Sequence, residues 1–307
     1  MKTTILITGT SRGIGKALAL HFLSQGATVI GSRAALLMVF SACSTKIKSV
    51  DFTEENTFTD GIEGPATDHD GNIYAVNFGE QGTVGITTPS GTSSVFVKLP
   101  NGSIGNGIRF GEKNQMFVAD YTNHNILEID LISKAIHVFA HEPEANQPND
   151  IAIAPNKTLY ASDPNWSDNT GNVWKVTKEK GFELLESGMG TTNGIEVSPS
   201  GHRLYVNESI QRKIWIYNIT ENGSIEKKRK LISFEDFGLD GMRCDQKGNL
   251  YVCRFGKGTI AVLSPLGELL REIHLKGKKP TNITFSKDYL KCYVTLADRG
   301  CIEVVDL

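Results

Sequence analysis

One pattern recurs six times along the chain. Short apolar strands built around an aromatic residue, NIYAVNF, QMFVADY, TLYASDP, RLYVNES, NLYVCRF and KCYVTLA, place anchors at Tyr74, Phe117, Tyr160, Tyr205, Tyr251 and Tyr293. Successive anchors lie 43, 43, 45, 46 and 42 residues apart. A period of this length, made of short strands and Gly/Asn/Asp/Pro turns with no second helical pattern, is that of four-stranded blades arranged around an axis. The expected fold is therefore all-β: a six-bladed β-propeller over residues 46–307, preceded by a short β-α-β-like N-terminal fragment.

Strands can be counted within one repeat, at Ile108–Phe110, Met116–Ala119, Ile126–Ile129 and Ile136–Phe139. The sixth repeat is short. After Cys292–Leu296 and Ile302–Val305 the sequence supplies no fourth strand, so ring closure has to borrow one, and Lys46–Phe52 is the natural donor.

In a propeller the innermost strands border the central channel, and residues just before them converge on its mouth. Eleven or twelve positions before each anchor stand Glu63, Asn106, Asn149, Asn193, Asp240 and Asn282, all carboxylates or amides. Four are followed by glycine. Asn-Gly and Asp-Gly are strong hairpin signals, and Asp70-Gly71 and Asn222-Gly223 read as such turns. Turn chemistry does not account for an oxygen-bearing residue at one phase in six repeats, which points to a shared site. Oxygen donors alone suit a hard divalent cation, Ca2+ first, with Mg2+ or Mn2+ behind it and Zn2+ a poorer match because it favours nitrogen and sulfur.

The phrases IEGPATDHDGNIY, QPNDIAIAPNKTLYASDP, TNGIEVSPSGHRLYVNES and LDGMRCDQKGNLYV, in this order, resemble the successive motifs of the gluconolactonase/regucalcin (senescence marker protein-30) family. The resemblance implies a metal held by Glu63, Asn149, Asn193 and Asp240. It implies hydrolysis of a small-molecule lactone or ester, with Asp240 as the catalytic carboxylate that activates water or itself attacks, and Asn106 and Asn149 binding substrate. Asp163 and Glu208 are candidates for support behind these residues, with purely structural roles equally open. Sugar-lactone hydrolases of the family often carry an arginine two residues before the Pro-Asn asparagine, and this chain has Gln147 there, which leaves another lactone or an organophosphate ester open. The non-enzymatic alternative is a propeller used as a binding scaffold, which has no need to keep the quartet together.

The first 33 residues follow a different logic. ILITGTSRGIGKALALHFLSQGATVIGSR reads as strand, glycine-rich turn with Gly9, Gly13 and Gly15, amphipathic helix (Ala17, Leu18, Leu20, His21, Phe22) and second strand. It resembles the opening of a short-chain dehydrogenase, whose glycines let backbone N–H groups approach a pyrophosphate. That family also needs a Tyr-x-x-x-Lys pair, and none of the eight tyrosines here has a lysine four residues on. An NAD(P)-dependent oxidoreductase is accordingly the weakest reading.

Residues 34–45, AALLMVFSACST, resemble the hydrophobic region and cleavage box of a bacterial lipoprotein signal, which would put a lipid anchor on Cys43 and the protein in the periplasm or on a membrane. A further strand or helix of the first fragment fits the same residues, in which case a cytoplasmic location follows. A fragment that looks folded ahead of such a signal suggests a fused reading frame. The apolar run is too short for a transmembrane span, which takes about 20 residues.

With 32 basic and 34 acidic residues the charges nearly cancel, and the run Lys227–Lys230 reads as a solvated edge, so nucleic acid is not an expected partner. The five cysteines, Cys43, Cys244, Cys253, Cys292 and Cys301, show no metal-ligand or disulfide spacing and are expected to be free thiols.

Overall fold

The computed structural model describes residues 4–8, 13–33, 36–41, 48–112 and 114–307. The chain divides into two compact units, Met1–Lys46 and Ile47–Leu307.

The second unit is the six-bladed β-propeller. Blade one is formed by Phe58–Thr67, Ile73–Phe78, Thr83–Thr87 and Ser93–Lys98, innermost strand first. Blade two follows with Gly105–Phe110, Gln115–Asp120, Asn125–Asp130 and Ile136–His141, and blade three with Ile151–Ile153, Leu159–Asn165, Thr170–Thr177 and Gly181–Met189. Blade four comprises Thr192–Val197, Arg203–Glu208, Lys213–Ile219 and Ile225–Ser233; blade five comprises Met242–Cys244, Leu250–Arg254, Thr259–Leu263 and Leu269–His274. Blade six takes Pro280–Phe285, Lys291–Leu296 and Cys301–Asp306 from the C-terminus and borrows its outer strand, Val50–Asp51, from ahead of blade one.

That borrowed strand falls inside the segment expected to close the ring. Glu303 pairs with Asp51 and Val304 with Val50, antiparallel. Side chains reinforce the seam: Ser49 Oγ donates to Glu303, Arg299 pairs with Asp51, Glu55 and Glu303, and Lys276 Nζ lies 2.6 Å from Asp51 Oδ2.

The aromatic anchors explain why the repeat folds this way. Each lies on the second strand of its blade, at most 8% exposed, and packs into the apolar layer shared with the next blade. Tyr74 packs with Met116 and Val118, Phe117 with Leu159 and Ala161, Tyr160 with Leu204 and Val206, Tyr205 with Leu250 and Val252, and Tyr251 with Cys292 and Val294. Tyr293 returns to blade one, against Phe58, Ile62 and Ile73. Six apolar layers between six blades thus form a cyclic core, with burial as the driving force.

Cys244 and Cys253 lie on neighbouring strands, and both are free, as are Cys292 and Cys301. The basic run belongs to the outermost strand of blade four and is exposed.

In the first unit, Thr4–Thr8 pairs in parallel with Thr28–Arg33, and the helix Gly13–Ser24 connects them. Leu36–Ser41 adds a third, antiparallel strand within the signal-like segment. The helix is less amphipathic than its sequence suggests: Ala19 is buried while Leu18 and Leu20 are exposed, because one three-stranded layer covers only one face. Gly9 and Cys43 lie outside the described residues. No helix among the described residues is long and apolar enough to cross a membrane.

Candidate active site

Four of the six ring residues stand at slips of register between the first two strands of their blades. The ladder between the first two strands of a blade slips at Glu63–Ala66 in blade one, between Gly105 and Ile108 in blade two, between Thr192 and Ile195 in blade four, and between Pro280 and Ile283 in blade six. Glu63, Asn106, Asn193 and Asn282 stand at these slips, inside their strands rather than before them, whereas Asn149 and Asp240 stand two residues before theirs. A bulge leaves a residue unpaired and re-aims its side chain, and Glu63, Asn106 and Asn193 at these slips line one cavity.

The glycines that follow ring residues are not hairpin tips. A Cβ on Gly64 would lie 2.0 Å from Asn106 O, on Gly107 2.6 Å from Asp150 Oδ1, on Gly194 2.4 Å from Asp240 O, and on Gly241 2.0 Å from Asn282 Cγ. Each glycine is the surface against which the next blade presents its own ring segment. Gly71 and Gly223, with φ of 86° and 78°, are the turn glycines.

Glu63, Asn106, Asn149, Asn193 and Asp240 all line one cavity of about 730 Å³. Asn282 joins them by donating from Nδ2 to Glu63 Oε2 at 3.1 Å. Gly64 N donates to the same oxygen at 2.6 Å, and Gly241 N to Asp240 Oδ1 at 3.1 Å. Burial pushes the Glu63 carboxyl up to about 7, with repulsion from Asp150 adding to it. Burial also holds Asp240 well above the usual carboxylate range, and the neighbouring Glu63 charge adds further, against a hydrogen bond from Asn193. Two carboxylates facing each other out of water cannot both be ionised without a compensating charge. Asn106 Oδ1 is buried with no hydrogen-bond partner. The two carboxylates with the amide oxygens of Asn149 and Asn193 fit a hard divalent cation. Among the described residues there is no metal-type cluster of three or more His, Cys, Asp or Glu side chains, so the donor set depends on the asparagines.

Three residues further along the innermost strands lies a charged layer that reading one phase of the repeat missed. Arg109 Nη1 is 3.2 Å from Asp150 Oδ1 and its Nη2 3.4 Å from Glu196 Oε2, while Arg243 Nη1 is 3.6 Å from that same oxygen. Two guanidiniums and two carboxylates balance in charge, and burial nonetheless raises Glu196 to about 7. The signal was present in the sequence: Arg109, Glu196 and Arg243 each stand three residues after a ring residue.

The cavity wall was also not legible in advance. Tyr121, Trp166, Phe255 and Lys279 line it, Trp166 being 37% exposed. Burial raises the Tyr121 hydroxyl above the usual phenol range, partly offset by the neighbouring Trp166 and Gln147 side chains.

Comparison with known proteins matches this arrangement to a family. Residues 63–298 match the family described as the SMP-30/gluconolactonase/LRE-like region. A gluconolactonase of Zymomonas mobilis is 27% identical over 243 residues, 68% of this chain and 68% of its own. A 6-deoxy-6-sulfogluconolactonase of Pseudomonas putida is 26% identical over 45% of this chain and 50% of its own. Among solved structures, the calcium-binding protein regucalcin of Agrobacterium tumefaciens shares the fold with a TM-score of 0.74 at 19% identity, covering 84% of this chain and 94% of its own. A gluconolactonase of Xanthomonas campestris does so with a TM-score of 0.73, also at 19% identity, covering 84% and 89%. With most of the propeller matched, from Glu63 in blade one to Asp298 in blade six, the chain belongs to the SMP-30/gluconolactonase/LRE-like family.

Proposed function

We propose that this protein is a lactonase-type carboxylic ester hydrolase that works in the channel mouth with one divalent cation, Ca2+ before Mg2+, Mn2+ or Zn2+. The observation that carries the reading is the pair of carboxylates, half-buried Glu63 and buried Asp240, sharing one cavity with the amides of Asn149 and Asn193. These four residues would hold the cation. Relatives named as gluconolactonase and sulfogluconolactonase support a cyclic ester as substrate.

A bound cation supplies Lewis-acid polarisation of the lactone carbonyl. Asp240 accepts a proton from the attacking water as the new C–O bond forms, and that proton passes to the ring oxygen when the C–O bond of the ester breaks, giving the open hydroxy acid. Asn106, whose amide oxygen lacks a protein partner, accepts a hydrogen bond from a substrate hydroxyl, and Asn149 helps to orient the ester. Tyr121 and Trp166 offer flat apolar faces to the C–H side of a lactone ring. No guanidinium stands at residue 147 to recognise a sugar acid, so lactones less rich in hydroxyls, and organophosphate esters, belong in the substrate panel.

The test is hydrolysis of a lactone panel followed by pH-stat, with and without calcium, beside Asp240→Asn. Calcium-dependent turnover that Asp240→Asn lowers by about 10²–10⁴-fold supports the reading. Calcium binding without turnover of any ester would leave a binding scaffold instead. Export as a lipoprotein through Cys43 is a separate proposal, tested by intact-mass analysis of the protein from its native host.

A further inference from the structure

Beside the six ring residues stands a second set of six polar side chains, two of which, Asn77 and Asp298, also line the cavity, and their contacts share one purpose. Fourteen to sixteen positions after its ring residue, each blade carries a polar group that binds the segment two to four residues ahead of that ring residue. In blade one Asn77 Nδ2 donates to Gly61 O at 2.6 Å, ahead of Glu63. In blade two Asp120 Oδ2 accepts from Ser103 Oγ at 2.7 Å, ahead of Asn106. In blade three Asp163 Oδ1 accepts from Gln147 N at 2.6 Å, ahead of Asn149, with Asn172 and Trp174 also donating to its other oxygen. In blade four Glu208 Oε1 accepts from Gly190 N at 2.9 Å, ahead of Asn193. In blade six Asp298 accepts from Lys278 N and Lys279 N, ahead of Asn282.

Blade five departs from this acidic and amide set. Its group is Arg254, 1% exposed, whose Nη2 reaches Asp236 O at 2.6 Å and Asp236 Oδ1 at 2.7 Å. The guanidinium lies 3.8 Å over the Phe234 ring, and its Nη1 is 3.5 Å from Glu272 Oε1. The tethered segment runs from Asp236 through Phe237, held at a φ of 47°, to Asp240. A left-handed conformation is unfavourable for a bulky residue and persists only where surroundings impose it. One guanidinium nitrogen, Nη2, holds both the carbonyl and the carboxylate of Asp236 while Nη1 faces Glu272. A planar group spread over two partners and stacked on Phe234 is such an imposition, which a point charge cannot reproduce.

We infer that Arg254 and Asp236 are positioning residues for Asp240: their paired contact fixes the loop that aims this carboxylate at the cation and at substrate. The inference rests on the cation reading above. Partners that orient metal ligands typically contribute 10–100-fold to affinity or activity.

The experiment is calcium titration calorimetry on the full chain, for wild type, Arg254→Lys and Asp236→Asn, with thermal unfolding in EDTA alongside. Asp236 is largely exposed, so its variant folds even where a change at buried Arg254 does not. The expected result is calcium affinity weakened about tenfold or more in Arg254→Lys and by a smaller factor in Asp236→Asn, which keeps the carbonyl contact. A loss in kcat that exceeds any rise in KM on a turned-over lactone is expected in the same order. Wild-type affinity in both folded variants overturns the inference, as does a change confined to the EDTA melting temperature. A wild type that binds no divalent cation would instead take down the cation reading itself.

Discussion

Asn282 Nδ2 lies 3.1 Å from Glu63 Oε2, joining the last blade's ring residue to the first blade's across 219 positions of sequence. The contact links the ring residues of the last and first blades as Val50–Asp51 completes the sheet of blade six. Asn282→Ala leaves the Glu63 carboxylate without one of its donors, and calcium affinity is expected to weaken about 10–100-fold with little change in calcium-free stability. Titration calorimetry measures this directly, and an unchanged dissociation constant would show that Asn282 does not orient Glu63.

Gly241 presses against the Asn282 amide, with its absent Cβ only 2.0 Å from Asn282 Cγ. Gly241→Ala is expected to cost about 1–3 kcal/mol through overpacking, read from urea unfolding, and to weaken calcium binding because the amide is displaced. Stability equal to wild type would mean that neighbouring inner strands separate more readily than the packing implies.

The buried carboxyls predict how stability follows pH. Glu63 and Glu196 are raised to about 7, and Asp150 and Asp240 are raised as well, all chiefly by burial. A carboxyl whose folded pKa exceeds its unfolded value binds more protons when folded, so stability falls as pH rises through the interval between the two. In EDTA the melting temperature is therefore expected to drop between about pH 5 and pH 8, and saturating calcium, which replaces protons at Glu63 and Asp240, to reduce that drop. Scanning calorimetry at both pH values, with and without calcium, decides the matter; a calcium-free protein that melts higher at pH 8 contradicts it.

Closure of the ring can be tested by truncation. Removing residues 1–46 leaves all six blades four-stranded, whereas removing 1–52 takes away the fourth strand of blade six and the Ser49 and Asp51 contacts with Glu303, Arg299 and Lys276. An exposed strand edge is a template for association. The shorter product is expected to melt lower and to aggregate, as seen by light scattering, while the longer one stays monodisperse. Equal behaviour of the two would assign closure to something other than Val50–Asp51.

Much of this protein is legible in its sequence. The spacing of Tyr74, Phe117, Tyr160, Tyr205, Tyr251 and Tyr293 specified six blades because each anchor has to meet the same apolar layer once per repeat. The phase of Glu63, Asn106, Asn149, Asn193, Asp240 and Asn282 specified a convergent ring because residues at one phase of a closed repeat face one axis. Only the tertiary structure decided what lies across blades. The use of Gly64, Gly107, Gly194 and Gly241 as seats for the next blade depends on interatomic distances that local turn preferences do not encode. The same holds for the Arg109–Asp150–Glu196–Arg243 layer and for the grip of Arg254 on Asp236. Pairing among charges depends on which side chains share a dry volume, and that is settled when the ring closes.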